Sequence, residues 1–89
     1  NANASDVTTA ELNAIVPALT EVNASNIAAY QDYIADANNA FSTPATHAEV
    51  QAMITAVNTS VTILTEIGAE DNANASDVTT AELNAIVPA

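Results

Sequence analysis

Lysine and arginine are absent from this 89-residue chain, which carries eleven Asp and Glu residues and a formal net charge of −11. His47 is the one side chain able to become a cation. Nucleic-acid binding draws on Lys and Arg to release counterions from phosphates, so this composition repels nucleic acid. Anionic membrane surfaces are disfavoured for the same reason. Cysteine is also absent, which removes disulfides, a thiol nucleophile and thiolate metal ligation. No uninterrupted apolar run approaches the roughly 18 residues of a membrane span. No basic stretch leads into an apolar one, as it would in a signal peptide. Membrane insertion is therefore not expected of this segment. With Asn1 in place of an initiator Met, the segment reads as a piece of a longer chain. Aromatic residues are limited to Tyr30, Tyr33 and Phe41, and Gly68 is the only glycine.

What is abundant is alanine, at 21 residues, within an apolar fraction of 49%. That fraction is ordinary for a globular domain and too high for a highly charged disordered tail. The expectation is one small domain with a thin core of Ala, Val, Ile and Leu, and modest stability for its size.

The two ends of the chain are identical. Residues 1–18 and 72–89 both read NANASDVTTAELNAIVPA, at an offset of 71. The chain is thus one period, 1–71, followed by the start of the next, 72–89. Identity without drift indicates recent duplication in a tandem array. A weaker internal likeness aligns 8–19, TTAELNAIVPAL, with 46–57, THAEVQAMITAV; five of the twelve positions are identical.

Both phrases begin with a helix-start signal. Thr8 with Glu11 forms a capping box, in which the hydroxyl accepts from the N3 amide and the carboxylate accepts from the cap amide. Thr46 with Glu49 and Thr79 with Glu82 repeat it. Val7 with Leu12, and Val78 with Leu83, add hydrophobic staples. The spacing predicts helices over about 9–20, 24–38 and 47–67, then the first helix of the next unit. Their apolar stripes are Leu12, Ile15, Val16 and Leu19; Ile27, Tyr30, Ile34 and Ala37; and Val50, Met53, Ile54, Val57, Val61, Leu64 and Ile67. Pro17 kinks or stops the first helix near Val16. Asn23 or Ser25 caps the second, Asn38-Asn39 ends it, and Gly68 terminates the third. No alternating strand pattern is present. The fold expected is all-α: an up-down three-helix bundle repeat, with the first helix of the next repeat. Either the units are beads, or they form a continuous stack in which the second copy covers Val61, Leu64 and Ile67. The second half of the third helix has no other obvious cover, which favours the stack.

Candidate chemistry is sparse. His47 falls in the first turn of a helix with no second His or Cys, so an exposed structural role is expected and a zinc site is not. Asp32 and Asp36 share a helix face, where they grip a divalent ion or simply form a solvated face. Glu66, Glu70 and Asp71 gather at a helix C-terminus, where the dipole is already negative and an offsetting cation makes sense. Asn72, Asn74, Ser76 and Asp77 follow with further oxygens. Glu66, Glu70, Asp71, Asn72, Asn74 and Asp77 are therefore calcium candidates, weighed against a screened acidic linker, because Asp77 and Leu83 break the 12-residue calcium-loop pattern. The glycosylation triplets at Asn3, Asn23, Asn58 and Asn74 read as composition. No catalytic constellation emerges, so no enzyme is expected.

The phrases AAYQDYIADA (28–37), FSTPAT (41–46) and AEVQAMI (48–54), with VTTAELNAI (7–15), resemble tandem α-helical repeats of very large surface proteins of Gram-negative, often marine, bacteria. The resemblance covers nearly the whole period. It implies a secreted, cell-surface, adhesin-like parent in which the unit is a stalk or extender. The partners implied are neighbouring repeats, with a distal protein or glycan partner elsewhere on the parent. The other reading is a small three-helix module that binds a protein through one helix face, with Tyr33 as the contact residue.

Overall fold

The computed structural model describes residues 4–69 and 78–88. All regular structure among them is helical, and no strand occurs. Helix α1 spans Thr9–Asn13, α2 Ile27–Ala35, α3 His47–Ala69 and α4 Thr80–Asn84, with 3-10 turns at Ala4–Asp6 and Ala24–Asn26. The all-α expectation therefore holds. At 23 residues, α3 is about 35 Å long, and the rest of the unit is arranged on it.

All three capping boxes form. Glu11 N–H donates to Thr8 Oγ1 at 3.2 Å and Thr8 N–H to Glu11 Oε1 at 3.0 Å. Thr46 with Glu49 and Thr79 with Glu82 make the same reciprocal pairs. The helices these caps start differ greatly in length. The α1 helix stops at Asn13, well short of residue 20. Pro17 explains the position: its ring clashes with the carbonyl four residues back, which is Asn13, and it disfavours helical backbone at Val16. Thr55 occupies the matching place in the related phrase, and α3 runs on. The internal likeness of 8–19 to 46–57 is thus one of helix starts.

The stripe expected of the first helix is broken accordingly. Leu12 is buried, Ile15 and Leu19 pack at the edge of the core, and Val16 is 88% exposed. Helix α2 closes at Ala35, before Asn38. Asp36 leaves the helix with ψ 119° and its carboxylate accepts from Asn38 N–H at 2.9 Å, an Asx turn that ends the helix early. Gly68 lies within α3, contrary to its expected role as terminator; no glycine has positive φ.

The core is Leu12, Tyr30, Met53, Ile54 and Val57, with Val7, Ile27, Ile34, Phe41 and Val50 packed around it. The apolar stripe of α3 turns in its second half. Ser60 and Ile63 are buried there, while Leu64 and Ile67 remain 51% and 37% exposed. By length and composition α3 is apolar enough to cross a membrane, although its apolar residues are interrupted by Thr, Asn and Ser. Its Met53–Val57 face is the core of the domain.

Candidate functional site

With no lysine or arginine in the chain, most of its long-range tethers are amide side chains. Gln51 clamps a loop reciprocally: Thr20 N–H donates to its Oε1 at 2.8 Å, and its Nε2 donates to Thr20 C=O at 3.1 Å. Gln31 Nε2 donates to Val7 C=O at 2.8 Å and Ser5 C=O at 3.3 Å, holding the N-terminal turn on α2. His47 Nε2–H donates to Pro17 C=O at 2.9 Å. These side chains satisfy loop carbonyls that no helix could reach.

The densest network centres on Asn58. Its Oδ1 accepts from the Tyr30 hydroxyl and from Asn26 Nδ2, and its Nδ2 donates to Glu21 C=O at 2.6 Å. Tyr30, fully buried, also accepts from Asn23 N–H at 3.1 Å. Asn23 in turn caps the following 3-10 turn through Ser25 N–H. Two of the four glycosylation triplets thus have their asparagine side chains engaged in structural bonds. Asn3 and the triplet at Asn74 lie outside the described residues.

The second network joins the two copies of the repeat. Val87 N–H donates to Ser60 Oγ at 3.1 Å, and the same hydroxyl donates back to Val87 C=O at 3.5 Å. Val87 packs against the core, and with Pro88 it closes a hollow of ≈220 Å³ against Tyr33, Val57, Val61 and Leu64. The second copy thus sits on the C-terminal half of α3, over Ser60 and Ile63. Of the expected contacts Val61 is met, Leu64 borders the hollow but stays 51% exposed, and Ile67 is 37% exposed. The shift follows from Ser60: a buried hydroxyl fixes the docked backbone where an aliphatic side chain would supply no direction.

Over the helix and its caps, 8–14 and 79–85, the two copies have the same local conformation and different surroundings. Thr8 and Thr79 have φ/ψ of −114°/162° and −109°/162°; Ala14 and Ala85 have −87°/−8° and −86°/−7°. Leu12 is 4% exposed, in the core with Tyr30 and Met53, whereas Leu83 is 53% exposed. The reverse holds at the corner: Val16 is exposed and Val87 docked.

The other candidates resolve into structural roles or lie out of view. Tyr33 is half-buried and meets Phe41 edge-on, with ring centroids 6.2 Å apart. Asp36 is used in the turn after α2, and Asp32 is exposed. Among the described residues no three His, Cys, Asp or Glu side chains gather as a metal site. Of the calcium candidates only Glu66 is described; it lines a hollow on α3 with Ile63, Glu82 and Ala85. Glu70, Asp71, Asn72, Asn74 and Asp77 lie outside the described residues. The Glu49 carboxyl is held below its ordinary value, chiefly by Thr46 N–H and then by the Ser42 hydroxyl. Glu49 Oε2 accepts from that hydroxyl at 2.9 Å.

In the sequence Asn58 and Ser60 stand out only as a glycosylation triplet read as composition, without a structural role. Each is a polar residue bordering an otherwise apolar stripe, and a buried Tyr hydroxyl needs a partner, so the signal was present. Compared with known proteins, the chain matches no family model, no curated protein and no solved structure.

Proposed function

We propose that this chain is a structural extender unit of a tandem array, without catalysis, in a long adhesin-like protein on a bacterial surface. Each unit is an up-down bundle of three helices, with a short α1 set against α2 and α3. Successive units stack through the corner that follows α1, and the stalk so formed holds a distal protein- or glycan-binding part of the parent away from the cell. The observation that carries this reading is the duplicated segment: identical in sequence to the first, its described part, 78–88, repeats the capped helix of the first copy and docks on α3 of the unit before it. The lack of Lys and Arg suits an extracellular life, since trypsin-like proteases find no cleavage site. Deleting residues 78–89 tests the stack. A lowered melting temperature, equivalent to about 2 kcal/mol for the loss of several buried apolar groups, supports it. An unchanged melting temperature returns the units to independent beads.

A further inference from the structure

Val16 and Pro17 repeat the sequence of Val87 and Pro88, and α1 ends on the same backbone angles as α4. One copy of this corner is docked; the other leaves Val16 88% exposed. A single exposed valine is ordinary on a protein surface; what distinguishes Val16 is that its twin Val87, in the same local sequence, is packed against the core. The turn is ordered from behind. His47 Nε2 holds the Pro17 carbonyl and Gln51 holds both backbone groups of Thr20, so α3 of the same unit fixes the corner with Val16 outward. Such preorganisation lowers the entropy lost on docking.

We propose that the Val16–Pro17 corner is a docking element whose partner is the α2–α3 groove around Ser60 of a preceding identical unit. The occupant is named by the chain itself, because the same residues already fill that groove in the second copy. This inference rests on the tandem-unit part of the reading above and not on where the protein resides. The contact is heterologous: each unit offers a corner at the start of α3 and a groove at its middle, so it propagates without closing. Along α3 the unit's own corner is anchored at His47 and the next one at Ser60. These points are thirteen residues apart, or about 20 Å along the helix axis at 1.5 Å per residue.

The test uses the full chain in trans. Val87→Asp vacates the groove in an isotopically labelled chain. A second chain, spin-labelled through Asn13→Cys in this cysteine-free sequence, presents its own corner. At millimolar concentration and high salt, the amide peaks of Ser60, Val61 and Leu64 are expected to broaden, and Val16→Asp in the labelled partner to abolish the broadening. Absence of broadening in a groove-vacated chain that keeps its amide dispersion overturns the inference, as does broadening that survives Val16→Asp. Should Val87→Asp unfold the acceptor, Val87→Ala serves in its place under the same criteria. If Val87→Asp leaves the melting temperature unaltered, the stack itself falls; if it lowers the melting temperature without any broadening in trans, only this inference falls.

Discussion

Tyr30 on α2 gives its phenolic hydrogen to the side-chain oxygen of Asn58 on α3, at the point where the two helices and the 21–26 loop meet. Because Asn58 also holds Asn26 and the Glu21 carbonyl, its removal strands several polar groups at once. An unsatisfied buried polar group costs about 1–3 kcal/mol. Asn58→Leu is expected to destabilise by about 2–3 kcal/mol and Tyr30→Phe by about 1–2 kcal/mol. Urea titration followed by circular dichroism measures both. A double variant less destabilised than the sum of the singles would show that the two residues act as one unit.

Glycine and glutamate stand at positions that would suit each other. Among the described residues Glu21 is the one non-glycine with positive φ, at 66°, whereas Gly68 is helical, with open space where a Cβ would be. Left-handed backbone costs a residue with a Cβ about 1 kcal/mol, and glycine in a helix costs a similar amount relative to alanine. Glu21→Gly and Gly68→Ala are each expected to raise the melting temperature by a few degrees. A fall with Glu21→Gly would show that its side chain matters more than its backbone.

Acid acts on Glu49 through its cap. Its folded pKa lies below the ordinary value because Thr46 and Ser42 donate to the charged form, so the unfolded chain binds the proton more readily. The stabilisation is complete above the ordinary carboxylate pKa of about 4.3 and is lost as pH falls through the lowered folded value. Glu49→Gln is expected to flatten that acid limb of the stability curve. Melting curves from neutral pH to pH 3 compare the two chains, and identical limbs would remove Glu49 from the account.

Eleven acids with no lysine or arginine repel across a small domain. Salt shortens the repulsion to roughly 8–10 Å at physiological ionic strength and has no ion pairs to lysine or arginine to weaken. The melting temperature is therefore expected to rise with sodium chloride. A flat or falling curve would indicate that the acids are already accommodated. A further rise with calcium at matched ionic strength would support the Glu66–Asp77 candidates.

Helix starts were legible in the sequence because a capping box is a local, reciprocal bond between residues three apart. Helix ends were less so. Pro17 acts on the carbonyl of Asn13, a full turn before itself, and Asp36 ended α2 by a turn bond that competes with the helix. Gly68 misled because position, not residue type, decides whether left-handed backbone is needed. The tethers of Gln31, Gln51 and Asn58 join segments 24–37 residues apart in sequence, and no periodicity encodes such pairs. The docking site was half visible: the duplication pointed to α3, and only the fold identified Ser60 as the anchor.

The docked second copy is tested most directly by placing one substitution in two identical contexts. Val16→Asp and Val87→Asp change the same residue in the same eighteen-residue sequence and differ only in what surrounds it. Thermal unfolding of the two chains is the measurement. With Val87 seated on Ser60 and Val16 in water, Val87→Asp costs about 1 kcal/mol or more of lost apolar burial. That corresponds to a fall of about 4–8 °C for a domain of this size, whereas Val16→Asp leaves the melting temperature where it was. Equal shifts for the two variants would contradict the docking and, with it, the stacked extender.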